Sequence, residues 1–171
     1  MKITLTLLLL ILSINTFGQN DTIISKETKE LAIKLEKKHP AKFFDSASRL
    51  YKAKHLNDAA FLFYLGQLRY KYYLAAGEGS DSDGQLFASL QNVLGEQINF
   101  DLGENLDNYL MLLEEVINWD RLNDYKYYSK TNLPGKHKKV LEGLINYKNW
   151  VIENKSTITE RRNKVVEDRK K

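Results

Sequence analysis

Residues 58–76 read DAAFLFYLGQLRYKYYLAA, and their apolar side chains leave almost no polar face. Wound at about 100° per residue, Ala60, Phe61, Leu62, Phe63, Tyr64, Leu65, Leu68, Tyr70, Tyr72, Tyr73 and Leu74 cover nearly the whole circumference of a helix. A helix that is apolar all round is wrapped by its neighbours. This one falls short of the roughly 20 apolar residues a membrane span needs, so its place is the middle of a helical bundle. Asn57 and Asp58 offer N-cap chemistry for its start.

Amphipathic segments flank it on both sides. Residues 22–38 carry Ile24, Thr28, Leu31 and Leu35 on one face, and Pro40 ends that helix because the residue before a proline resists helical geometry. Phe43, Phe44, Ala47, Leu50 and Tyr51 give a short second helix. After the central helix, residues 77–84 (GEGSDSDG) read as a solvated loop. Leu86, Leu90, Val93, Leu94 and Ile98 make a fourth helix, broken near Gly95 or at 101–103. Leu106, Tyr109, Leu110, Leu113, Val116 and Ile117 make a fifth. Tyr125, Tyr127 and Tyr128 occupy a connection that closes at Leu133-Pro134-Gly135. A last helix follows, with Val140, Leu144, Tyr147, Val151 and Ile158 on one face. No segment alternates with the period of a strand. The expectation is an all-α compact bundle of five to six helices.

The stretch 47–73, ASRLYKAKHLNDAAFLFYLGQLRYKYY, resembles one helix-turn-helix unit of the tetratricopeptide or Sel1-like type. Ala47, Leu50, Ala59, Phe63 and Gly66 fall at its small and large positions, where small residues let two helices approach and aromatics fill the space between them. The resemblance covers this one unit, with no second copy at the repeat period, and it implies a helical hairpin. The segment FLFYLGQLRY with the downstream Trp119-Asp120 is also similar to small exported bacterial proteins, a likeness that brings no activity with it.

The first residues give an address. Lys2 precedes the apolar run 7–12, and Thr16 and Gly18 are small enough for the −3 and −1 positions of a signal-peptidase site. That is the layout of a secretory signal peptide over 1–18, followed by one helical domain over 19–160 and a basic C-terminal helix end or tail over 161–171. Mass spectrometry of the exported protein is expected to find Gln19, or a residue close to it, at the N-terminus; a full-length chain recovered from the cytoplasm would refute the leader. Cys is absent, which excludes a disulfide scaffold and a lipobox anchor. The expected location is therefore periplasmic or secreted, in an envelope of Gram-negative type, with no stable membrane insertion after cleavage.

Charge is distributed unevenly along a chain whose formal net charge is +4. Residues 78–124 are acid-rich, while Arg161, Arg162, Lys164, Arg169, Lys170 and Lys171 make the end basic. The apolar stripe thins there, so the last turns read as a solvated helix end that projects or frays. Attraction to anionic lipid or an acidic partner is the functional alternative; nucleic acid is not an expected partner of an exported chain.

Chemistry-bearing patterns are few. An EF-hand register on Asp81, Asp83 and Gly84 puts Gly79 and Leu90 at ligand positions, so calcium is not expected. His39, His55 and His137 lack zinc-ligand spacing. Ser129-Lys130 is an adjacent pair on a loop, with neither a Gly-x-Ser-x-Gly elbow nor a Ser-x-x-Lys motif. Glu78, Glu96 and Glu104 could be nominated for glycoside hydrolysis, but nothing pairs them across a cleft. No cofactor or metal is expected.

Gln67 and Arg69 stand out as polar residues inside the apolar central helix. A buried guanidinium must find partners, so the structural reading pairs Arg69 with a carboxylate such as Asp120, with Gln67 bridging helix backbones. The functional reading groups Gln67, Arg69, Trp119, Tyr125, Tyr127 and Tyr128 as a partner-binding surface, since aromatics and Arg dominate interface hot spots. Together these features point to an exported, non-enzymatic protein-binding module, one concrete form being a periplasmic immunity or inhibitor protein. The alternatives are a small cell-wall hydrolase and a self-associating structural envelope protein.

Overall fold

The computed structural model describes residues 23–170; the expected leader and the Gln19 cleavage point lie outside the described residues. Every regular element in that range is helical: α1 (Lys26–Leu35), α2 (Ala41–Lys52), α3 (Leu56–Ala76), α4 (Asp81–Leu90), a π-helical turn (Gln91–Gly95), α5 (Glu96–Leu102), α6 (Leu106–Leu122), α7 (Pro134–Glu153) and α8 (Lys155–Asp168). The fold is an all-α bundle. Among the described residues no helix is long and apolar enough to cross a membrane.

Helix α3 is the axle of the bundle. It packs against α1, α2, α4, α5, α6 and α7, and every residue from Ala59 to Gly66 is buried. Its companion in the hairpin is α2, and Gly66 is what lets the two close. A Cβ there would meet Phe43 Cβ at 2.7 Å, so any larger residue would push the helices apart. The Phe44 ring fills the seam edge-on to Phe63, with centroids 5.5 Å apart.

Side-chain caps start α1, α4 and α6, whereas α3 begins without one, and these starts differ in part from the sequence reading. Ser25 caps α1 by accepting from Thr28 N–H, and its own N–H and hydroxyl donate to Asp58 Oδ1 at 2.8 and 3.0 Å. Asp58 therefore does not cap its own helix. It lies in the first turn of α3, which starts at Leu56, and ties α1 to it. Asn57 likewise pairs with Asn108 of α6. The expected loop 77–84 is shorter than its composition suggests. Gly77 ends α3 in a left-handed conformation (φ 84°), and a Ser80/Asp83 capping box starts α4.

The fourth helix is continuous but changes pitch near Gly95, through the π-turn. The expected single last helix is interrupted at Asn154, which leaves helical geometry (φ −112°) while its side chain caps Trp150 O at 2.8 Å. Beyond that break α8 buries no residue fully, as the thinning stripe implies. It is nonetheless fastened to the body. Arg162 Nε donates to Phe100 O at 3.2 Å, and the guanidinium groups of Arg162 and Arg169 lie 5.1 and 4.4 Å from the centroid of the Phe100 ring.

Candidate functional site

Burial of Arg69 at the centre of α3 forces a network. Its Nε donates to Glu36 Oε2 at 3.1 Å and its Nη2 to Glu36 Oε1 at 2.9 Å, a two-bond grip on the residue that caps the end of α1. Nη1 donates to Asp120 of α6, and the guanidinium lies 5.5 Å from the centroid of the Tyr125 ring. Asp120 Oδ2 takes a second partner, Nε2 of His137 in the first turns of α7, at 2.9 Å. Trp119 Nε1 donates to Glu36 Oε1 at 3.4 Å, and Lys130 Nζ donates to Asp120 O. The ends of α1 and α6, the start of α7 and the loop before it thus converge on one side chain of α3.

Burial and pairing pull these groups in opposite directions. Desolvation raises the Glu36 pKa even though Arg69 opposes it. Burial also works against an ionised Asp120, yet the His137 hydrogen bond and the Arg69 charge hold its pKa below the usual value. Asp120 and Glu36 outweigh desolvation at Arg69 and raise its pKa, so it stays charged. Desolvation lowers the pKa of Lys130. The network is charge-compensated and fully hydrogen-bonded, which is the condition for tolerating ions in a core. Its chemistry is cohesion between helices.

The six residues read from the sequence as one surface are therefore dispersed. Arg69 and Tyr125 are buried, and the Tyr125 hydroxyl donates to Lys38 O at 3.1 Å. Neither can touch a partner in this arrangement. Trp119 is half-buried between Phe61 and Glu36. Tyr128 is half-buried against the Tyr72 ring. Tyr127 is exposed beside Tyr73 and His39, while its N–H donates to Glu36 O at 2.8 Å. The tyrosine loop is thus pinned to the end of α1. Gln67 is half-buried on another side of α3, where Nε2 donates to Gln91 Oε1 at 3.2 Å; it bridges side chains and not backbones.

Other candidates also stay apart. His39 Nδ1 accepts from Ala41 N–H and Nε2 meets Asp83 Oδ1 at 3.2 Å, with the rings of Tyr70, Tyr73 and Tyr127 edge-on around it. His55 is exposed and His137 is committed to Asp120. The Ser129 hydroxyl donates to Asp124 Oδ2 at 2.8 Å, while Lys130 reaches Asp120 O, so the two form no nucleophile–base pair. Glu104 pairs with Arg162 and Glu96 is exposed on α5. Among the described residues no group of three His, Asp or Glu side chains could hold a metal ion.

Two adjoining surface concavities lie beside the π-turn. One, of about 630 Å³, runs between α2 and the α4–π segment and includes Tyr51, Lys52, Lys54, Leu90 and Val93. A second, of about 640 Å³, continues it past Phe100 and Asp101 to Val165 and Arg169 of α8. Tyr51, Val93 and Gln97 belong to both, so the two form one groove. The Tyr51 hydroxyl donates to Asp101 Oδ2 at 2.6 Å, and that bond, aided by burial, pushes its pKa up to about 12. Val93 stands 66% exposed on the groove wall, a position its apolar stripe does not predict. A π-turn resets helical phase and turns it outward. The chain matches no protein-family model, no curated protein and no solved structure.

Proposed function

We propose that this chain is an exported protein-binding module with no catalysis of its own, and that the groove beside the π-turn receives a segment of its partner. The observation that carries this reading is the apolar wall of that groove, with Val93 and Val165 exposed, inside a rim of mixed charge in which Lys52, Lys54 and Arg169 stand against Asp45, Glu96 and Asp101. A partner helix with apolar anchors and flanking polar residues suits such a surface. The α2–α3 hairpin, read as tetratricopeptide-like, supplies one side through α2. A periplasmic immunity or inhibitor protein is the concrete form we favour, because an exported single domain without catalytic motifs can act by occupying another protein.

Affinity capture with the mature protein tests the proposal. Val93→Asp is expected to abolish co-purification of a specific partner while leaving the melting temperature unchanged, since an exposed substitution costs within about 0.5 kcal/mol. Retention of that partner by the variant would remove the groove from the interface. Peptidoglycan hydrolysis by the pure protein, lost on changing a single Glu or Asp, would replace the proposal with the hydrolase reading.

A further inference from the structure

We propose that a hollow between α3, the π-turn, α5 and α7, lined by Gln67, Lys71, Gln91, Asn99 and Tyr147, binds a small hydroxylated carboxylate. It lies apart from the partner groove and stands independently of that reading. At about 260 Å³ it falls below the roughly 300–1,000 Å³ of drug-sized sites, so its occupant is of the size of an amino or sugar acid. Gly143 of α7 leaves one wall open, because a Cβ placed there would meet nothing within 4 Å.

Its hydrogen-bond inventory selects the ligand. Asn99 Oδ1 already accepts from the Tyr64 hydroxyl at 2.6 Å and from Tyr109 at 3.4 Å, which leaves the Asn99 amide N–H groups over. Gln91 Oε1 accepts from Gln67 at 3.2 Å, leaving the Gln91 N–H groups and Gln67 Oε1. The Tyr147 hydroxyl is engaged with Tyr109 at 2.9 Å. Among the described residues Lys71 is the only charged one in the lining and makes no ion pair, and no carboxylate lines the hollow. Although Lys71 is exposed as a whole, desolvation lowers its pKa, as expected of a cation standing against protein without a counter-charge. Two amide donors and an ammonium against one free acceptor make a site for an anion that also carries a donor. A carboxylate fits the amides and Lys71, and a hydroxyl beside it fits Gln67 Oε1.

Side-chain amide NMR resonances of Gln91 and Asn99, followed during titration of the mature protein, provide the test. L-lactate or glucuronate is expected to shift both saturably, and glucose to leave them in place. Lys71→Met should weaken binding by about tenfold or more, and Gly143→Leu should abolish it by filling the open wall, with both variants as heat-stable as the parent. No saturable shift with either acid up to about 50 mM would overturn the proposal. So would equal binding of glucose, undiminished binding by Lys71→Met, or inorganic phosphate binding more tightly than both carboxylates.

Discussion

Replacing Arg69 with methionine is expected to remove about 3–5 kcal/mol of stability, the range for breaking a buried ion pair from one side. Methionine keeps the length and apolar volume of the stem, so the loss is electrostatic. Two carboxylates would be left in the core, Glu36 with 4% and Asp120 with 0% of its side chain exposed. Asp120 would keep His137, but Glu36 would keep only the indole N–H of Trp119. The consequence is a pH signature. Glu36 already has a raised pKa, and losing Arg69 raises it further. A carboxyl with a raised folded pKa contributes stability below its unfolded pKa of about 4.3 and loses it as pH rises through the folded pKa. The deficit of Arg69→Met relative to the parent should therefore narrow as pH falls from neutrality. Denaturant unfolding at several pH values measures it. A deficit below about 1 kcal/mol, or one that does not change with pH, would show that the network is incidental to the fold.

Part of this network is legible in the sequence. An arginine inside a helix that is apolar on nearly every side demands an acid, and Asp120 is at hand in the amphipathic fifth helix. Glu36 gave no such signal. It sits among Lys34, Lys37 and Lys38, where a glutamate reads as surface charge, and the meeting of α1 with α3, α6 and the tyrosine loop buries it. His137 likewise looks like an exposed residue near a helix start until α7 lays it against Asp120.

The fold was more readable than the surface. Helix α3 is unmistakable because all-round apolarity has one structural solution, and the amphipathic neighbours follow from their stripes. The start of α4 was hidden, since Gly-rich composition masked the Ser80/Asp83 capping box. Asn154 was hidden because the apolar periodicity runs through it from Val151 to Ile158 while its backbone does not. The groove could not be read at all. A regular helix through Leu86, Leu90, Val93 and Leu94 would face all four inward, whereas Leu86 in α4 is 44% and Val93 in the π-turn 66% exposed. Periodic patterns assume constant pitch, and this helix does not keep it.

That change of pitch is seated on Phe63, which makes Phe63→Ala the second large expected loss, about 3–5 kcal/mol. The ring has 0% exposure and lies edge-on to Phe44 and to Tyr64. Its tip faces Gly95, where a Cβ would come within 2.7 Å of Phe63 Cζ. Gly95 closes the π-turn, so the ring and the turn occupy complementary space. Truncation to alanine would empty a site under the turn and forfeit the contacts with Phe44. Gly95→Ala should cost about 1–3 kcal/mol for the opposite reason, by overpacking against an aromatic ring held on both sides. The two residues should also be coupled. Phe63→Leu withdraws the ring tip, so Phe63→Leu with Gly95→Ala is expected to cost less than the sum of the single changes by about 1 kcal/mol. Denaturant midpoints of the four proteins in this cycle give the coupling directly. Strict additivity would mean that the π-turn does not rest on Phe63, and a Phe63→Ala protein as stable as the parent would move α3 out of the centre of the bundle.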